Sequence, residues 1–300
     1  MTLKEMTRQA EIWLDRLQAA EKTKQDYACG IRCFLVYVGS KKLKELRLET
    51  LLEYRQYLYE RYSVATAQMY LISAKRYVGY LAEQGKLKKD FTKAVRGYKV
   101  SEYHSREALT VAEAKHLLQS IDAKNAIGKR NKALVALMMT SGLRCIEVSR
   151  ADIGDIIEYG EQKFLRVQGK GRSDKCEVVE IPSGVYKLIE EYQSARSLPR
   201  KAKTLPLFAS WGRGSGRLLT TSISRLVKSL LKQSGIDKPQ ITAHSLRHTC
   251  ANIMIENGVE LRKVQEVLRH RNITVTQRYL HEATRRTNGG EKICASVLGI

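Results

Sequence analysis

Apolar residues recur every three to four positions through the first 84 residues, and this period predicts four helices. Ile12, Trp13 and Leu17 mark the first, over 11–17; Tyr27, Ile31, Phe34, Leu35 and Val38 mark the second, which Gly39 ends. Residues 48–59 and 66–81 supply the other two, so an all-α bundle is expected over 1–84. The period then stops. Residues 85–107, GKLKKDFTKAVRGYKVSEYHSRE, hold two glycines and seven basic residues and read as a linker. Thr110-Val-Ala-Glu113 is a capping box that opens a new helix carrying Ala114, Leu117 and Leu118, which starts a second domain over 108–300.

The second domain mixes periods. Residues 131–139 form an apolar helix, broken by Thr140-Ser141-Gly142-Leu143-Arg144 before Glu147-Val148 begins another. Residues 153–158, 164–168 and 176–181 are short strand-like runs separated by Gly160 and by GKGRSDK, which predicts a three-stranded antiparallel sheet with Lys170 at a hairpin tip. Two helices follow over 183–234 around the turn LPLFASWGRGSGRLLT, whose Arg213 and Arg217 either touch phosphate or sit in a surface loop. The stretch from His244 to His281 reads as three short helices. Leu246, Cys250, Ile253 and Met254 share a face of the first, closed by Asn257-Gly258; Leu261, Val264 and Leu268 mark the second; the third runs over 273–279.

Charge narrows the partners. The 300 residues contain 53 Lys+Arg and 31 Asp+Glu, a net charge of +22 with a pI near 9.8, which favours a polyanion and above all nucleic acid. The first hundred residues hold 20 basic and 11 acidic residues and the remainder 33 and 20, so both parts of the chain are positive. On the bundle, Lys22, Lys24, Arg55, Arg61, Lys75 and Arg76 are expected on outer faces, interleaved with tyrosines at 54, 57, 59, 62, 70, 77 and 80, as a surface that could grip a duplex backbone. No apolar run is long enough for a membrane span and no secretory signal is evident, so a cytoplasmic, nucleoid-associated protein is expected. Six scattered cysteines form no disulfide framework. Cys29 and Cys33, one helical turn apart, read as core residues rather than metal ligands.

The candidate chemistry lies near the C-terminus. His244, Arg247 and His248 stand at i, i+3 and i+4 on one helical face, and His270 and Tyr279 follow at the ends of the next two helices. An arginine, up to three imidazoles and a phenol are thus delivered to one region, which suits holding a phosphodiester and attacking it. The i, i+4 histidines have zinc-helix spacing, but Ser245 stands where the protease motif needs a glutamate and no third ligand follows; no metal and no cofactor are expected.

His-x-x-Arg-His, a glycine-containing break, Leu-x-His and then Tyr-x-His resembles the second signature box of the tyrosine recombinases, the lambda-integrase and Xer-like family. The Gly142-Leu143-Arg144 turn with Glu147 three residues on resembles the first. The resemblance implies a two-domain protein, an all-α core-binding bundle and a mixed α+β catalytic domain with a small antiparallel sheet, closing on DNA as a C-shaped clamp. It implies that Arg144 and Arg247 clamp the scissile phosphate, His244 serves as base or proton relay, His270 orients the phosphate, Lys170 rather than Lys175 protonates the leaving 5' oxygen, and Tyr279 attacks. The implied activity is site-specific DNA recombination, or integration, through a 3'-phosphotyrosyl intermediate without ATP or metal. The implied partners are double-stranded DNA with inverted half-sites and three further copies of the chain in a synaptic tetramer. A type IB topoisomerase and a non-catalytic DNA-binding protein remain as alternatives. One departure stands out: the family commonly has Leu-Gly-His where this chain has Leu268-Arg269-His270. The polar segment 282–290 ends in two glycines before Ile293, Val297, Leu298 and Ile300, an apolar tail that would dock on its own domain or on a neighbouring protomer.

Overall fold

A computed structural model describes residues 2–39, 46–99, 107–169, 171–172, 174–196, 202–210, 216–270, 272–273 and 276. The chain divides into two compact units, Met1–Glu102 and Tyr103–Ile300, each built around its own hydrophobic core.

The first unit is a bundle of α1 (Leu3–Arg16), α2 (Glu21–Val38), α3 (Leu48–Arg61) and α4 (Val64–Glu83). Thr2 caps α1 by accepting from the Glu5 amide, while the Glu5 carboxylate accepts from the Thr2 amide at 2.6 Å. α2 and α4 approach closely because Gly30 has no side chain: a Cβ there would lie 2.5 Å from Ser73 Oγ. The tyrosines correct the sequence reading. Tyr54 and Tyr77 are wholly buried and Tyr80 nearly so; the Tyr77 hydroxyl donates to the Met6 carbonyl at 2.5 Å, and Phe34 packs edge-on against Tyr54 with centroids 5.0 Å apart. A phenol brings a large apolar ring as well as a hydroxyl, and at Tyr77, where the Met6 carbonyl receives the proton, the ring goes inside.

Residues 85–99, read from sequence as linker, pack onto this bundle. Leu87 and Val95 are buried in its core, Lys75 Nζ donates to the Val95 carbonyl, and Arg55 Nε donates to the Arg96 carbonyl at 3.0 Å while its guanidinium lies over Tyr98. Two of the basic residues expected to face a ligand are therefore holding this segment in place. Cys29 is exposed and so is not the core residue the spacing suggested, whereas the half-buried Cys33 packs against the bundle core with its thiol 3.7 Å from the Tyr62 hydroxyl.

The second unit contains α5 (Val111–Ser120), α6 (Ala126–Thr140), α7 (Cys145–Arg150), β1 (Ile156–Tyr159), β2 (Gln162–Val167), β3 (Glu177–Ile181), α8 (Ser183–Ser194), α9 (Thr220–Gln233), α10 (Ala243–Glu256) and α11 (Leu261–Leu268). The Thr110/Glu113 capping box opens α5 as the sequence predicts. α6 is buried on nearly every side over residues 133–139 and packs against both α8 and α10, which makes it the axis of the unit. The sheet is antiparallel in the order β1-β2-β3, with Leu165 opposite Ile156 on one side and Val179 on the other. Leu165, Val167, Val179 and Ile181 alternate inward into the core. β1 begins at Ile156, since 153–155 form a short 3-10 turn whose Asp155 carboxylate accepts from the Asp152 amide at 2.7 Å. Among the described residues no helix is long and apolar enough to cross a membrane.

Candidate active site

Three chain segments meet at the C-terminal end of α6. The first is the turn from α6 to α7. Gly142 adopts φ +57°, and a Cβ on it would sit 2.6 Å from Leu268 Cδ2 and 3.5 Å from Cys250 Sγ; backbone conformation and close packing both require glycine. The turn delivers Arg144 to the start of α7. There the Arg144 amide donates to Glu147 Oε2 at 2.8 Å and its Nη1 to Glu147 Oε1 at 2.7 Å.

The second segment is α10. Arg247 is 1% exposed; its Nη1 donates to the Gly142 carbonyl at 2.5 Å and its Nη2 to the Leu268 carbonyl, so one guanidinium ties α10 to the other two segments. His244 is half-buried and meets the buried His248 edge to face, with centroids 4.8 Å apart. His248 thus lies inside the helix packing, as a structural residue would.

The third segment is the end of α11. Arg269 terminates this helix in the left-handed conformation, φ 55° and ψ 47°, and is the one non-glycine residue with positive φ among those described. Its guanidinium turns inward. Nη2 lies 2.9 Å from Glu147 Oε2 and 3.3 Å from the Gly142 carbonyl, Nη1 donates to the Val267 carbonyl at 2.5 Å, and the side chain is 5% exposed. His270 follows, with its amide on the Gln265 carbonyl at 3.1 Å and Nδ1 2.9 Å from Thr276 Oγ1.

Electrostatics bind these groups together. Burial alone would raise the Glu147 carboxyl, but the charges of Arg269 and Arg144, the Arg144 N–H bond and the charge of Arg247 hold it below the ordinary carboxylate range. An unpaired carboxylate at such depth would cost several kcal/mol, so the arginines are a condition of its burial. Burial, reinforced by the positive fields of Arg247, Arg144 and Arg269, pushes His270 down to about 3; it is a neutral imidazole at physiological pH. Burial pushes the Cys250 thiol up to about 11 against the pull of Arg247 and Arg269, which leaves it protonated and no nucleophile.

Of the residues singled out from sequence, Arg144, His244, Arg247 and His270 converge here, while Lys170 and Tyr279 lie outside the described residues. Of the third helix expected over 273–279, only Ile273 and Thr276 are described. Lys175, the alternative to Lys170, is committed elsewhere: its Nζ donates to Asp152 Oδ2 at 2.6 Å and to Asp155. Arg217, read from sequence as either a phosphate contact or part of a surface loop, completes that cluster by pairing with Asp152 and donating to the Ser149 carbonyl at 2.8 Å and that of Ala151 at 3.1 Å. Its role is to hold the loop, and Arg213 lies outside the described residues. Arg269 is the residue that sequence reasoning noticed only as a missing glycine. Among the described residues no group of three His, Cys, Asp or Glu side chains could hold a metal ion.

Residues 107–286 match the phage integrase family. The chain belongs to that family. Among its relatives, the tyrosine recombinase XerD of Listeria innocua is 30% identical over 213 residues, covering 71% of this chain and 70% of that protein. The tyrosine recombinase XerC of Pelobacter propionicus is 34% identical over 173 residues, 58% of this chain and 54% of that one. The fold is shared with a lambda integrase tetramer bound to a Holliday junction, with a TM-score of 0.74 at 16% identity over 93% of this chain and 77% of that chain. It is shared likewise with the XerH site-specific recombinase bound to a palindromic difH substrate in a post-cleavage complex, with a TM-score of 0.72 at 20% identity over 91% of this chain and 79% of that chain. The match to the integrase family spans both the Arg144 turn and the His244 to His270 segments that the fold brings together.

Proposed function

We propose that the chain is a site-specific DNA recombinase in which Tyr279 attacks the scissile phosphate and forms a 3'-phosphotyrosyl bond. The observation that carries this reading is the convergence of Arg144, Arg247 and neutral His270 around a buried Glu147, at the positions where the family's two signature boxes fall. Arg144 and Arg247 hold the non-bridging oxygens and stabilise the pentavalent transition state. His244, half-buried at the start of α10, takes up the phenol proton. His270, kept neutral, hydrogen-bonds the phosphate without adding charge. Lys170 protonates the 5' oxygen as it leaves; the Nζ of Lys175 is already engaged by two carboxylates, which supports the choice. The phosphotyrosyl bond conserves phosphodiester energy, so a 5' hydroxyl of another duplex can displace Tyr279 and rejoin the strands without ATP.

The division of labour follows the two units. The bundle is the core-binding domain and the second unit the catalytic one. Four protomers on two duplexes with inverted half-sites make up the synapse; the apolar tail over 291–300, expected from sequence to dock on its own domain or on a neighbouring protomer, lies outside the described residues. The relatives named as tyrosine recombinases favour strand exchange over simple relaxation or binding.

A nicked suicide substrate tests the reading. Wild-type protein should give a covalent protein–DNA band on denaturing electrophoresis. Tyr279→Phe should abolish it while duplex affinity stays within about threefold, because one hydroxyl adds little to an interface dominated by phosphate contacts. A band that persists in the variant assigns the nucleophile elsewhere.

A further inference from the structure

We propose that Arg269 is a positioning residue of this site: it neutralises Glu147 and thereby leaves the Arg144 guanidinium for the scissile phosphate. The inference rests on the recombinase reading and adds to it a residue at the unspecified position of the Leu-x-His element, where the family commonly has glycine.

The backbone supplies the first argument. Arg269 holds a left-handed conformation that glycine adopts without a Cβ penalty, at a place where the family commonly has glycine. A strained arginine persists there only if its side chain compensates. The side chain is the second argument. It is 5% exposed and crosses to a carboxylate 122 positions earlier in the chain, meeting Glu147 Oε2 at 2.9 Å. The same guanidinium reaches the Gly142 carbonyl at 3.3 Å and the Ser141 carbonyl at 3.5 Å, so it braces the turn that carries Arg144.

Charge is the third argument. Glu147 is wholly buried and orients Arg144 through its backbone amide and its Nη1. With Arg144 as its only ion-pair partner, the carboxylate would both compete with a phosphate for that guanidinium and repel the phosphate directly. A second guanidinium on the other carboxylate oxygen removes the conflict. Arg144, Arg247 and Arg269 against Glu147 leave two net positive charges facing a phosphate whose transition state gains negative charge. Arg269 thus acts through Glu147 and Arg144 and need not touch the substrate.

The test uses the full chain and two double-mutant cycles built from Arg269→Gly and Glu147→Gln. Glycine accepts the left-handed backbone, so the fold should persist. In the first cycle, thermal unfolding without DNA, Glu147→Gln should cost several degrees in the wild type. In the Arg269→Gly background the same change should cost nothing or stabilise. In the second, covalent capture on the suicide substrate, Arg269→Gly should be slower by at least about tenfold with half-site affinity within about threefold. Glu147→Gln should slow the wild type yet speed Arg269→Gly, because removing the carboxylate charge removes the need for its second counter-ion. A merely structural arginine gives no such reversal of sign. Arg269→Lys should retain an intermediate rate, since one ammonium can meet the carboxylate but not brace the turn as well. Wild-type cleavage by Arg269→Gly overturns the proposal, and so does a slow Arg269→Gly that Glu147→Gln slows further. If the wild type itself gives no covalent band, the recombinase reading falls; the unfolding cycle still decides the pair, and additivity there overturns it.

Discussion

Gly142 and His270 are single residues whose surroundings fix their behaviour closely enough to measure. At Gly142 an alanine meets a positive φ, which costs an L-residue roughly 1–2 kcal/mol, and a Leu268 methyl 2.6 Å from its Cβ. Gly142→Ala should lower unfolding stability by about 2–4 kcal/mol in denaturant titrations, and it should slow covalent capture as well because the same turn sets Arg144. A variant as stable as wild type would mean that the turn relaxes freely. At His270 the sign is the reverse of the usual histidine partner effect. Its folded-state value of about 3 lies below the ordinary 6.5, so the unfolded chain binds the extra proton and stability falls as pH drops from about 6.5 toward 3. Nitrogen NMR of His270 should show a neutral ring down to pH 5, and His270→Gln should flatten that part of the stability curve. Titration of His270 near 6.5 would show that solvent reaches it.

At the scale of elements, what the sequence made legible was what depends on neighbours a few residues away. The four bundle helices, the capping box on α5, the break at Gly142 and the three-strand sheet all rest on periodicity or turn chemistry, and each is present, although α1 runs over Leu3–Arg16 rather than 11–17 and β1 begins at Ile156 rather than 153. Signals that depend on distant partners were misread. Tyr54 and Tyr77 look amphipathic in sequence, and only the fold supplies the packing that takes them inside. Residues 85–99 look like linker because the lysines mask Leu87 and Val95. Arg269 looked like a lost glycine, since nothing local announces a carboxylate 122 positions away. The β2–β3 connection gives a prediction of the same kind. Lys175 answers two carboxylates, so Lys175→Ala should destabilise the unit while slowing cleavage no more than stability explains. Lys170→Ala should be slow on a normal phosphodiester and recover on a 5'-bridging phosphorothiolate, whose leaving group needs no proton. Recovery of Lys175→Ala instead would exchange the two assignments.

Over the whole molecule the question is how much each of two separately cored units contributes to DNA binding. Residues 1–102 carry 20 basic and 12 acidic residues and residues 103–300 carry 33 and 19, so neither unit is a neutral scaffold for the other. Yet part of the first unit's charge is spent internally, Lys75 and Arg55 on backbone carbonyls and Arg61 over the Tyr57 ring. The number of first-unit cations open to direct phosphate contact is therefore smaller than the formal count, and salt dependence measures it directly. Each phosphate neutralised contributes about −0.9 to the slope of log K against log salt, so a fragment of residues 103–300 should bind a half-site with a shallower slope than the full chain. The difference divided by about 0.9 counts the contacts made by the bundle, and affinity near 0.15 M salt should fall by roughly a hundredfold or more. The fragment keeps its own core and the Arg144, Arg247 and His270 constellation, so covalent capture at saturating concentration should survive the truncation better than binding does. A fragment that binds with the full chain's affinity and slope would show that the bundle makes no phosphate contacts.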